Sequence, residues 1–157
     1  MLTVLCGPVI SDPLFSAYIG SDFFNYEDGY LNIGATYQTA VAERMEFYIS
    51  ANFGVMTYKS GGTVQADFYY PLDAGLHFLF PVSSNLTGIF GVGVSPQFVV
   101  NEETRVYAGP TVKGGFRLRI HPRMEWMAEV QQDLIIGAPS WINTGTRVHT
   151  GIVFSFM

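Results

Sequence analysis

The chain has 157 residues, of which 48% are apolar and 13% charged, with a formal net charge of −5. That length closes one substantial domain, and the charged fraction falls well below the roughly 25% of an ordinary soluble domain. An acidic balance without a basic stripe excludes a nucleic-acid partner, and the single cysteine, Cys6, excludes an internal disulfide and a cysteine-rich zinc site.

No run of 18 apolar residues offers a transmembrane helix. Residues 1–13 lack the basic start and small-residue cleavage site of a secretory signal. They stand outside the predicted domain, 14–157, as either the remnant of an export segment or an added start. From residue 14 onward, apolar and polar residues alternate with period two in eight segments separated by turn-forming clusters. The predicted strands are about 14–23, 30–39, 45–57, 67–80, 86–99, 104–120, 124–136 and 145–156. Segment 124–136 contains helix-forming Met, Glu and Gln, but its even positions are apolar except Gln132, and its odd positions are mostly charged or amide, so period two describes it better. The connections 40–44, 81–85 and 121–123 are short. NYEDG, YKSGGTVQA and GAPSWINT are mostly longer and richer in Gly, Asn and Ser, and the connection at NEET (101–104) breaks the alternation of short and long ends. An eight-stranded meander has two exposed edges unless it closes, and closure is the economical solution.

Sorting side chains by parity gives two unlike faces. One collects Phe15, Phe23, Phe47, Phe53, Phe68, Phe78, Phe80, Phe90, Phe98, Phe116, Trp126, Phe154 and Phe156 with most of the aliphatics, and every strand phenylalanine falls on it. The other carries Glu46, Asn52, Asp73, His77, Lys113, Arg117, Arg119, Glu125, Glu129, Asp133, Arg147 and His149, five tyrosines (Tyr18, Tyr30, Tyr48, Tyr69 and Tyr107) and most strand glycines. The interior of an eight-stranded barrel is just wide enough for side chains to fill, and overpacking a core costs about 1–3 kcal/mol for a few methylenes. The phenylalanine-rich face therefore belongs outside and the glycine-rich polar face inside. Aromatic residues gather near both ends of the outer face, as in the interfacial girdles around a bilayer. The predicted fold is all-β, an eight-stranded antiparallel up-and-down transmembrane β-barrel. A soluble lipocalin-like carrier is the alternative, and it leaves the low charge unexplained.

With these faces, and with the ending RVHTGIVFSFM, the chain resembles the small eight-stranded outer-membrane barrels of Gram-negative bacteria, of the OmpA, OmpX and OmpW type. Val148, Ile152, Phe154 and Phe156 resemble the alternating terminal strand that the family's assembly machinery recognises, and Met157 departs from it. The resemblance implies the bacterial outer membrane, periplasmic termini and short periplasmic turns, with outer-membrane lipid and the barrel assembly machinery as partners. It implies a structural, adhesive or small apolar-molecule binding or transport role.

No cofactor and no metal site is expected. A lipid A deacylase of this class pairs a His with a Ser two residues on. Here Gly151 follows His149-Thr150, so a lipid-modifying enzyme is the alternative and not the first reading. His77 is expected to be a hydrogen-bond partner in the lumen. Glu46, Asp73, Glu125, Glu129 and Asp133 against Lys113, Arg117, Arg119 and Arg147 form a near-balanced set, which as buried charge must be paired and so reads as a plug. TYKSGGT is expected to be a flexible surface loop. Pro71, Pro96 and Pro110 interrupt three successive strands towards the long-loop end, each deleting a ladder donor. Together they suggest one weakened wall whose lumen side (Tyr69, Gly93, Ser95, Gln97, Tyr107 and Gly109) would suit a small apolar ligand.

Overall fold

Alternation of side chains defines each strand. In β7 (Met124–Ile136), Met127, Glu129, Gln131, Asp133 and Ile135 are buried while Trp126, Val130, Leu134 and Ile136 are exposed. The computed structural model describes residues 12–26, 28–100, 104–138 and 141–156. The other strands are β1 (Leu14–Phe24), β2 (Asp28–Ala42), β3 (Met45–Ser60), β4 (Thr63–Pro81), β5 (Leu86–Val100), β6 (Thr104–His121) and β8 (Ile142–Ser155). Each pairs antiparallel with the next, and β1 pairs with β8 from Leu14↔Ser155 to Phe24↔Gly145, so the barrel closes with no edge strand. The expectations for residues 1–11, most of NEET, and Met157 lie outside the described residues.

Most strands run further than the periodicity indicated, chiefly at the end opposite the termini. The expected loop at TYKSGGT is instead a two-residue turn at Gly61–Gly62, with φ of 58° and 84° at the two glycines. Two consecutive positive-φ residues match the twist of a hairpin and need no Cβ, so β3 and β4 pair up to Ser60↔Thr63 and project as a ribbon. The β1–β2 connection is pinned inward: the Asn25 amide donates to the Thr144 carbonyl (2.7 Å), and its side chain accepts from Thr144 N (2.9 Å).

Inside, large groups sit opposite glycines. Tyr18 has Gly34 on one neighbouring strand and Gly151 on the other, and Tyr48 faces Gly75, which in turn faces Gly93. The tyrosine rings lie flat against the wall in space a side chain would otherwise take. A Cβ at Gly34 would overlap the Tyr18 ring, and one at Gly75 would overlap the Val92 carbonyl oxygen. Phe24 corrects the expectation that every strand phenylalanine faces out: it packs on Tyr69 and Tyr107 at the lumen mouth, with ring centroids 6.4 and 5.4 Å away. β1 extends one residue beyond its expected end, and that residue has lumen parity.

Gly75→Ala should therefore destabilise the refolded barrel by about 1–3 kcal/mol in urea titrations. Gly114→Ala, where a Cβ meets nothing within 4 Å, should stay within about 0.5 kcal/mol of the parent. Equal losses would contradict the close-packed lumen.

Candidate functional site

Arg147 enters the lumen from β8 and is 1% exposed. Its Nε donates to Asp133 (2.9 Å) and its Nη1 to Asp73 (2.8 Å), while Nη2 donates to Asp73 (2.6 Å), Asp133 (2.7 Å) and Ser95 (2.8 Å). Ser50 and Asn52 donate to Asp73 at 3.0 and 3.2 Å, Gln97 donates to Asp133 (3.1 Å), and Gln131 donates to both carboxylates at 3.2 and 2.9 Å. One guanidinium and a ring of neutral donors thus hold two buried carboxylates, drawing residues of β3, β4, β5, β7 and β8 into one cross-barrel cluster. Burial of charge is tolerable in this form because every partner is hydrogen-bonded.

A second, separate pair lies nearer the termini. Arg117 makes a two-pronged contact with Glu46 (3.1 and 2.7 Å) and also donates to Gln38. The single charge network expected from the sequence is therefore divided, and four of its members, Arg119, Glu125, Lys113 and Glu129, stand outside both buried ion-paired groups. Arg119 is 55% exposed and meets Glu125 at 3.6 Å at the lumen mouth, outside the buried set, because it lies at the end of β6 beside a register shift between Arg119 and His121. Lys113 and Glu129 are buried between the clusters, yet neither joins a direct ion pair among the described residues. Lys113 Nζ instead sits 3.9 Å from the Tyr48 ring centroid, whose ring stacks on His77 at 4.2 Å. Neither His77 nitrogen nor the Tyr48 hydroxyl has a hydrogen-bond partner among the described residues. Polar atoms buried in this way are usually met by ordered water. His149 stacks on Tyr18 at 4.7 Å and meets Asp22 at 3.2 Å.

Beyond Arg147, the mouth away from the termini is capped by a cluster of Tyr30, Tyr69, Val99, Tyr107 and Ile135, with Phe24 and Met56 packed on it. The opposite mouth keeps a pocket of about 350 Å³ reaching Glu46 and Arg117. On the outer surface stand Phe15, Phe47, Phe80, Phe90, Phe116, Trp126 and Phe156, all exposed, with Phe53, Phe68, Phe78, Phe98 and Phe154 half-buried among their neighbours.

The prolines are distributed differently from the expectation. Pairing of β3 with β4 skips from Ala51↔Leu72 to Gly54↔Tyr69, passing over Pro71. Pairing of β4 with β5 skips from Pro71↔Gln97 to Ala74↔Val94, passing over Pro96, and pairing of β6 with β7 skips from Ala108↔Ile136 to Thr111↔Asp133, passing over Pro110. The β5–β6 ladder is continuous through both Pro96 and Pro110. Three seams are therefore each interrupted once, and no single wall carries all three breaks. The reason is directional: a proline removes the bond on whichever side its nitrogen faces, and the three nitrogens face different neighbours. Side chains of the Arg147 cluster lie at these breaks. Asn52 donates to the Pro71 carbonyl (3.2 Å), Asp73 and Ser95 stand at the second gap, and Asp133 borders the third. Gly109 lets β6 approach β7 there, since a Cβ would strike the Leu134 carbonyl. Tyr69, Ser95, Gln97 and Tyr107 are buried on the lumen side, with Tyr69 donating to Gln97, while Gly93 lies against the Tyr48 hydroxyl.

Parity also places Gln38, Ser50 and Gln131 on the lumen face, where they enter the two clusters as neutral partners that a pairing of opposite charges does not single out, and Asp22, which meets Asn32 and His149 outside both clusters. Asp22 in particular shares the face of Tyr18 and Gly20 and could have been found that way.

No protein-family model and no curated protein matches the chain. Among solved structures the fold is similar to that of Neisserial surface protein A, at 12% identity over 94% of this chain and 99% of that one, with a TM-score of 0.78. It is similar also to the outer membrane protein OprG from Pseudomonas aeruginosa, at 12% identity over 94% and 97% with a TM-score of 0.62. A third is Ail, the attachment invasion locus protein of Yersinia pestis, solved with the heparin analogue sucrose octasulfate, at 14% identity over 92% and 100% with a TM-score of 0.55. The chain has the fold of the small transmembrane barrels of bacterial outer membranes.

Arg147→Met should cost about 3–5 kcal/mol in urea unfolding, since it strands two buried carboxylates. Adding Asp73→Leu and Asp133→Leu to it should restore much of the loss. Arg119→Ala should cost no more than about 1 kcal/mol, as expected for a surface pair. A small effect of Arg147→Met alone would show that the cluster does not hold the barrel.

Proposed function

We propose that this chain is an integral protein of the bacterial outer membrane that acts as a sealed barrel, through its lipid-facing wall and its outer rim. The observation carrying this reading is the filled lumen: the aromatic cap, the Arg147 cluster, the Tyr48–His77–Lys113 stack and the Arg117–Glu46 pair succeed one another along the axis. An adhesive role is the finer reading, favoured by the β3–β4 ribbon, whose Thr57, Tyr58, Thr63, Val64 and Gln65 are exposed beyond the barrel, and by the likeness to Ail, an attachment protein by its name.

A second reading rests on the interrupted seams beside β4. Tyr70–Pro71 has lost its pairing to β3 and Leu72–Asp73 its pairing to β5, and a small apolar ligand with a polar end would find Tyr69 and Gln97 immediately inside. Its test is binding of a fluorescent fatty acid to the reconstituted protein, which Gln97→Leu should weaken severalfold; no effect would contradict it.

The sealed lumen predicts no steady conductance of porin size in planar bilayers, and such a conductance would overturn it. The lipid-facing assignment predicts that Phe90→Arg lowers stability by roughly 2–4 kcal/mol in vesicles.

A further inference from the structure

We infer that the lumen mouth at the short-turn end is a binding site for a small apolar zwitterion, an amino acid or short peptide with free amino and carboxyl ends. The inference adds a site to the sealed barrel and is independent of the interrupted seams beside β4. The two mouths differ. One is packed shut by the aromatic cap, whereas the other is a blind cup of about 350 Å³ that reaches down to the Arg117–Glu46 pair. That volume is at the small end of ligand pockets, so the occupant is small.

β6, β7 and their turn build most of the rim. Arg119 follows Arg117 by two residues on β6, and Glu125 is in register with Arg119 on one side and with Val153 on the other. Arg123 lines the cup from the turn between them, and Asp12 from just ahead of Leu14, which pairs with Ser155. Arg119 Nε stands 3.6 Å from Glu125 Oε1, beyond hydrogen-bonding range. No side-chain hydrogen bond holds Arg119, Arg123, Glu125 or Asp12 among the described residues. The floor keeps a further donor: Arg117 gives its two Nη groups to Glu46 and Gln38, while its buried Nε–H has no partner among the described residues. Leu14, Leu79 and Val153 supply apolar wall.

These groups select their occupant by charge. A guanidinium meets a carboxylate through a planar fork of donors, and an ammonium brings three donors and no acceptor. A simple anion drawn to Arg119 and Arg123 meets Glu125 and Asp12 at the same rim, and a simple cation meets the reverse. An uncharged apolar molecule would cover all four charged groups and pair none, at a cost in desolvation. A molecule with one carboxylate, one ammonium and an apolar body pairs both signs and lays hydrocarbon on Leu14, Leu79 and Val153. The blind floor admits a small molecule but not a passing chain.

The test is titration of the isotope-labelled, refolded barrel with the dipeptide leucyl-leucine, followed by amide NMR. The expected result is saturable shifts at Thr87, Arg119, Glu125 and Ser155, with roughly tenfold weaker binding of both the N-acetylated dipeptide and the dipeptide amide, the size of one hydrogen-bonded charge. Arg119→Gln combined with Arg123→Gln should bind the free dipeptide and its amide equally. Glu125→Gln combined with Asp12→Asn should likewise erase the discrimination against the acetylated form. Absence of saturable shifts at this mouth, or shifts confined to Tyr69 and Gln97 beside the seams, would overturn the site. A capped dipeptide that binds as tightly as the free one would overturn the zwitterion, and a preference for the free carboxylate that survives the two arginine changes would overturn its assignment. Slower gel migration after boiling, recorded for each variant, separates loss of the site from loss of the closed barrel.

Discussion

One guanidinium holds the level of the barrel at which the backbone cannot hold itself. Three prolines interrupt three ladders, and Arg147 reaches from β8 to Asp73 on β4, Ser95 on β5 and Asp133 on β7, residues at or bordering those gaps. A backbone polar group left unpaired in a membrane costs several kcal/mol, so a wall with missing ladder bonds needs another source of order. Side chains provide it: Asn52 satisfies the Pro71 carbonyl directly, and the two aspartates tie their strands through Arg147. The lumen at this level is structural material.

The constraint propagates along the axis. A lumen that must contain Arg147 and its partners has no room for the phenylalanines, which is why they stand outside with the aliphatics and why glycines line the wall opposite the tyrosines. Above the brace the aromatic cap excludes water from one mouth, and below it the Arg117–Glu46 pair narrows the other. The apolar outer surface follows from the polar inner one, since alternation leaves each strand only two faces. Lipid as the outer solvent is what makes this inverted arrangement stable.

Strand number, order and inner face were legible in the sequence, because period two is unambiguous in stretches such as 114–120, where Arg117 stands between Phe116 and Leu118. What parity could not supply was depth and register. Arg119 has the lumen parity of Arg117 but lies past the buried zone, beside a bulge. The glycines of TYKSGGT read as a loop, although consecutive positive-φ residues also permit a tight hairpin. The three prolines lie within two residues of one level, as their positions along the strands imply, but the seam each one opens depends on the direction of its nitrogen, which alternates along the strand and requires the pairing register. The partners of Arg147 lie on strands distant in sequence, and only barrel closure brings them together.

The central claim is that the Arg147 cluster substitutes for ladder bonds at the proline level. Residue-resolved amide hydrogen exchange of the reconstituted barrel, compared between the parent and Arg147→Met, tests it most directly. The account predicts faster exchange confined to residues beside the three gaps, about 51–54, 69–74, 94–98, 108–112 and 133–136, with the continuous β1–β2 and β1–β8 seams unchanged. Acceleration spread evenly around the barrel, or none at the gaps, would contradict it.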